Sequence, residues 1–118
     1  MEKKLIDRFE KDLFGVLNTM LILGIIIEGK NVWTYQIKKR LGELNDFRNS
    51  IPESTLYTTL NKLEKEYRLI QSTIDEEVQR RYFSTTNKGI EEFNDLILFW
   101  QKINMLGSTA VEKLNIST

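Results

Sequence analysis

Cysteine and histidine are both absent from this sequence of 118 residues, and proline occurs once. Without a thiol or an imidazole there is no disulfide, no Cys-His or Ser-His-Asp relay, and no zinc site of the usual nitrogen and sulfur ligands, so carboxylates alone remain to bind a metal. Most familiar enzyme chemistry is excluded with them, and neither a metal nor another cofactor is expected. A net charge is missing as well. The 17 basic residues balance 17 acidic ones, so any contact with nucleic acid has to come from a local patch rather than from a global positive field. Long apolar runs are scarce too: the most apolar stretch, Val16 to Ile27, spans about 12 residues and is interrupted by Asn18 and Thr19, where a membrane span needs ~20. That stretch predicts a buried helix and no membrane partner. Lys3 and Lys4 give a basic start, but Asp7, Glu10, Asp12 and the lack of a small-residue cleavage site argue against a signal peptide, so a cytoplasmic location is expected.

What is present is an ordinary globular composition, 41% apolar and 29% charged, too apolar for a disordered chain and long enough for one modest core. Apolar residues from Leu5 through Phe9, Leu13, Val16, Leu17, Met20, Leu21 and Gly24 to Ile27 recur at spacings of three and four. This predicts one helix over about 2–28, or two with a break near Gly15. Gly29, Lys30 and Asn31 make a turn, and a second helix follows over about 33–44, with Ile37 and Leu41 inward and Lys38, Lys39 and Arg40 largely outward. After a polar loop over 45–49, Ser50, Pro52 and Glu53 combine a capping hydroxyl, an early-turn proline and a carboxylate three residues on. The helix they open runs to about Tyr67. Leu69–Ile74 and Arg80–Thr85 read as a β-hairpin around the acidic turn Asp75, Glu76, Glu77. Thr86 or Asn87 caps a last helix whose stripe is Ile90, Phe93, Ile97, Trp100, Ile103 and Leu106, resuming weakly beyond Gly107.

Helix, helix, helix, hairpin, long helix is the winged helix-turn-helix plan, and the fold class expected is α+β, mostly helical, with a long C-terminal dimerisation helix. A reading helix presents short polar groups and a few cations near its N-terminus over an apolar inner face. The third helix does so: Ser54, Thr58 and Asn61 suit base edges, Thr55 and Lys62 suit phosphates, and Leu56, Leu60 and Leu63 face inward. A solvated amphipathic helix would look the same in isolation. Tyr57 either packs on the wing or reaches a phosphate with its hydroxyl. Arg80 and Arg81 either reach the minor groove or backbone from the wing, or form a surface ion-pair cluster with Glu76 and Glu77. Phe93, Ile97, Trp100 and Ile103 form a stripe that one small domain cannot cover, which predicts a homodimer.

The run Ser54, Thr55, Leu56, Tyr57 with Leu60, Leu63 and Glu64, then Leu69 and Ile70, resembles the recognition helix of the PadR family of winged-helix repressors. Arg80, Arg81, Tyr82 and Phe83, then Thr86 and Gly89, are similar to that family's second wing strand and the start of its last helix. Leu21 to Gly29 leading to Tyr35 and Ile37 is similar to its first two helices, so the resemblance covers roughly residues 13–107. It is nearest to the short members, whose single C-terminal helix dimerises and some of which sense planar drugs. Three departures stand out. Tyr67 and Arg68, with one extra residue, replace the glycine after the recognition helix; Trp33-Thr34 replaces the His-Gly before the tyrosine of the second helix; and the wing lacks its glycine.

The resemblance implies a transcriptional repressor, not an enzyme, that binds a pseudo-palindromic operator on double-stranded DNA, with Tyr35, Lys38, Lys39, Tyr57, Arg80 and Arg81 joining the third helix at the interface. It also implies a pore at the dimer dyad where Trp100, with Phe99 and Asn104 nearby, takes a planar aromatic effector; the neutral Asn104 gives no ground for preferring a cation. Residues 1–85 would form the DNA-binding domain and 86–118 the dimerisation helix and tail. The alternative is a winged helix that docks proteins and leaves DNA alone.

Overall fold

The computed structural model describes residues 2–45 and 51–116; the capping role assigned to Ser50 and the loop at 46–49 lie outside them. The order of elements is α1 (Leu5–Gly29), β1 (Val32–Trp33), α2 (Thr34–Leu44), α3 (Glu53–Asn61) continued by a π-helical turn (Lys62–Glu66), β2 (Ile70–Asp75), β3 (Arg80–Thr85) and α4 (Asn87–Lys113). The three strands form one antiparallel sheet in the order β1-β3-β2, with Val32 opposite Phe83 and Ile74 opposite Arg81. This is the winged helix-turn-helix arrangement, α+β and mostly helical, as the sequence predicts. The core is built where the apolar faces of all these elements meet: Ile22, Leu23 and Ile26 of α1, Ile37 and Leu41 of α2, Leu56 and Leu60 of α3 and Ile70 of β2 are fully enclosed, with Phe83 of β3 closing the sheet side.

Helix α1 is continuous through Gly15, which settles the choice between one helix and two. It is long and apolar enough to cross a membrane by length and composition alone. The stretch from Val16 to Ile27 carries the buried residues of α1, as expected apart from Val16 itself, while Leu5, Ile6, Phe9 and Leu13 ahead of it stay exposed. Periodicity tells which residues share a face; it does not tell whether this chain has anything to lay against them.

Four details adjust the expected elements. Pro52 lies at the N-cap rather than in the first turn of α3, with extended backbone, and its carbonyl accepts the Leu56 N–H at 3.0 Å. Helix α4 runs unbroken past Gly107, around which space is open, so glycine there costs helix propensity but no packing. Between the two end caps offered by the sequence, Thr86 is the one used: its hydroxyl accepts the Gly89 N–H at 3.1 Å. Two-residue β1 was not foreseen, because a strand that short carries no alternation.

The departures from the family pattern have a common structural expression. Left-handed backbone falls on Lys30 (φ 68°), Arg68 (φ 58°) and Gln79 (φ 54°). Arg68 and Gln79 stand after the end of α3 and in the hairpin between β2 and β3, the two places where glycine is missing. The extra residue before Arg68 is taken up by the π-helical turn, in which the Tyr67 N–H returns to the Lys62 carbonyl at 2.9 Å and the Leu69 N–H to Leu63 at 2.8 Å. That second bond spans six residues, one more than an ordinary Schellman cap.

These positions give a test of backbone cost. Arg68→Gly and Gln79→Gly should each stabilise the fold by about 0.5–1 kcal/mol, since a side chain in left-handed backbone is strained. Gly89→Ala should destabilise it by more, because a Cβ there would collide with the Leu69 carbonyl oxygen and the Thr85 hydroxyl. Denaturant melts of the three variants check both signs.

Candidate nucleic-acid interface

Helix α3 is anchored by Leu56 and Leu60, and Leu63 continues the same face into the π-helical turn, all buried. The opposite face carries Ser54, Thr55, Tyr57, Thr58, Asn61 and Lys62, every one exposed. The Thr58 hydroxyl donates to the Ser54 carbonyl at 2.8 Å, so its proton is used within the helix and its lone pairs alone are left for a partner. Glu53 in the first turn favours the positive end of the helix dipole.

The end of this helix is tied to the wing and to α4 by polar contacts that sequence reading missed. Ser72 of β2 donates to a Glu64 carboxylate oxygen at 2.8 Å, while the other Glu64 oxygen is enclosed with no partner among the described residues. Lys88 donates to the Tyr67 carbonyl at 3.0 Å, and the Thr86 hydroxyl to that of Arg68 at 3.0 Å. A Glu eight residues before a Ser carries no signal by itself; the bond exists because the π-helical turn brings the two together.

On α2, Lys39 is exposed and Lys38 is half-buried, lining a groove with Trp33, Tyr35, Glu53, Leu56 and Tyr57. Tyr57 therefore lies toward the start of α2 rather than on the wing, and remains 51% exposed, as Tyr35 is at 59%. Arg40 is not a free outward cation. Its guanidinium meets Glu28 at 2.9 and 3.1 Å and Glu43 at 3.3 Å, and the hydrogen bond from Arg40 holds the Glu28 carboxyl below its ordinary pKa.

The wing turns between Asp75 and Arg80. Asp75 accepts the Glu77 N–H at 3.0 Å, and the Gln79 amide donates to the Glu76 carbonyl at 2.8 Å. Arg80 and Arg81 make no ion pair with Glu76 or Glu77 among the described residues, so the cluster considered from the sequence does not form. Arg80 instead lies over the Trp33 ring, 4.0 Å from its centroid, and Trp33 in turn leans on Tyr35 with centroids 5.6 Å apart and planes inclined by 33°. Arg81, on the other face of the strand, is exposed.

Along α4 the apolar stripe does two things. Phe93 is half-buried against α1 of the same chain, where a Cβ on Gly24 would come within 2.8 Å of its ring. Farther on, Ile97 and Trp100 are half-buried and Ile103 exposed. Trp100, Ile103 and Asn104 line an open groove with Phe9 and Leu13 of α1, whereas Phe99 is 61% exposed and takes no part in it.

Residues 22–95 match the model of the transcriptional regulator PadR-like family. No curated protein matches the sequence. Among solved structures, a transcriptional regulator from Clostridium thermocellum is similar at 28% identity and TM-score 0.73, over 89% of this chain and 96% of its own. A Streptococcus mutans protein is similar at 27% identity and TM-score 0.67, over 88% and 93%. A PadR family transcriptional regulator from Eggerthella lenta, 22% identical, shares the fold with TM-score 0.78 over 93% and 95%.

Proposed function

The chain belongs to the PadR-like family of transcriptional regulators, and from that premise we propose that it is a homodimeric repressor, not an enzyme, that occludes a promoter by binding a pseudo-palindromic operator in the cytoplasm. The observation that carries the reading is the exposed polar face of α3, anchored by Leu56 and Leu60, in a chain whose wing also carries the exposed Arg81. Short polar groups at the first turns of such a helix fit the major groove, and the cations around them fit phosphates.

The dimer is supported by surface that one chain leaves uncovered. The radius of gyration is 17.0 Å, where a compact domain of this length has about 13.5 Å. The accessible surface is 9338 Å², about 2,700 Å² more than a compact monomer of this mass exposes. It includes large apolar side chains: Leu5, Ile6, Phe9, Leu13 and Val16 of α1 and Leu98, Phe99, Ile103, Leu106 and Val111 of α4. Pairing of two copies through Ile97, Trp100, Ile103 and the outer side of Phe93 covers it and sets two α3 helices about one turn of DNA apart.

Relief of repression by a planar aromatic compound is the finer part of the proposal. It is supported by the Trp100 indole in the groove with Asn104, a groove whose lining does not include Phe99. Titration of planar dyes against a Trp33→Phe protein should quench Trp100 emission and lower operator affinity. Quenching that survives Trp100→Ala would place the effector elsewhere.

Selection of bound duplex from a random pool tests the main reading. Against the selected site, Asn61→Ala should erode sequence preference, whereas Lys62→Ala or Arg81→Ala should weaken binding to all duplexes alike and flatten its dependence on salt. Indifference to both kinds of substitution would remove α3 and the wing from the interface.

A further inference from the structure

We infer that Arg80 and Trp33 form a phosphate clamp, in which the indole holds the guanidinium flat so that its outer N–H edge receives the DNA backbone beside the groove that α3 reads. The inference rests on the DNA-binding reading and gives Trp33, absent from the expected interface, a positioning role.

Arginine in a wing has several possible neighbours, and here they can be eliminated one by one. Asp75 stands directly opposite Arg80 in the hairpin, but one of its carboxylate oxygens is engaged by the Glu77 N–H, and no carboxylate lies within ion-pair distance of Arg80 among the described residues. The side chain turns to Trp33, which pairs with Tyr82 and so shares the face of the sheet that Arg80 occupies two residues along. The guanidinium carbon lies over the ring at 4.0 Å, a stacking distance, and when the guanidinium stacks by its flat face its five N–H donors stay in its own plane, off the ring. A stacked arginine that makes no ion pair is thus already oriented for a bidentate phosphate contact, with little rotamer freedom left to lose.

The location is as specific as the chemistry. Trp33 leans on Tyr35, and Trp33, Tyr35, Lys38 and Tyr57 line one groove at the start of α3. Arg80 is therefore linked through Trp33 and Tyr35 to a groove that Tyr57 of α3 also lines, and in the inferred clamp the phosphate sits at the Arg80 end of the row that runs through Trp33 and Tyr35. Arg81, on the opposite face of β3, is free for a separate contact. The alternation of β3 thus separates the two arginines, and Trp33 gives Arg80 a partner that Arg81 lacks.

The test measures affinity for the selected duplex across a salt series, with thermal melting as a check on folding. Arg80→Ala should lower the slope of log affinity against log salt by about 0.9 per protomer, one phosphate contact. Arg80→Lys should keep the slope and lose about two- to fivefold in affinity per protomer, the worth of an exposed cation–π stack. Trp33→Leu should cost about the same, and in that background Arg80→Lys should cost nothing further. Arg80 is exposed, so its two variants keep the test decisive should Trp33→Leu fail to fold. An unchanged slope in Arg80→Ala, or costs that simply add, overturns the clamp while leaving the regulator reading in place. A wild-type protein that enriches no duplex overturns both.

Discussion

One core has to serve two helices that are longer than it is. Fourteen buried apolar residues among the described ones form that core, gathered where α1, α2, α3 and the sheet converge. Helix α1 has 25 residues and α4 has 27. At 1.5 Å per residue each is about 40 Å long, whereas the core reaches only the second half of α1 and the first turns of α4. Beyond that reach their apolar stripes lie side by side and uncovered, at a cost of about 25 cal/mol for each Å² left in water. The proposed assembly follows from this shortage. A second copy offers the same uncovered stripe, and two copies related by a dyad can satisfy each other without any further element of the chain.

The same economy links the pairing helix to the reading helix. At the junction of α3, β2 and α4 the Leu69 carbonyl accepts the Thr86 N–H at 3.0 Å, and the Thr86 hydroxyl shares its one proton between the Arg68 and Leu69 carbonyls at 3.0 and 3.1 Å. Gly89 packs on the Leu69 carbonyl with no room for a Cβ, and Lys88 and Thr86 bind the last carbonyls of the recognition segment. A rotation of α4 would therefore be carried to the end of α3 through hydrogen bonds. Under the proposed dimer, this is the route along which a ligand at Trp100 would shift the two α3 helices, given different affinity for the two arrangements.

Much of this was legible in the sequence for identifiable reasons. The family, the fold class and the order of helices and hairpin all followed from repeats long enough to show their period, as in the stripe from Ile90 to Leu106, and from the run Ser54 to Tyr57 with the later arginine pair. What stayed hidden was of two kinds. Features that depend on a single residue of register, such as the π-helical turn at 62–66 and two-residue β1, leave the apolar pattern almost unchanged. Contacts between residues remote in sequence, such as Arg80 on Trp33 or Arg40 on Glu28, follow from strand pairing and helix crossing that no local pattern encodes. The exposed half of α1 belongs with these, since its period announced an apolar face and the fold supplied nothing within the chain to cover it.

The central claim is that two chains share their uncovered stripes and thereby present two recognition helices to one duplex. Light scattering of the protein alone and with the selected duplex tests it most directly. The account predicts twice the 13.9 kDa chain mass in solution, two chains per duplex in the complex, and loss of both in Ile97→Asp, where a charge would enter the pairing stripe. A monomer at micromolar concentration, or a complex with a single chain on the selected site, would contradict it.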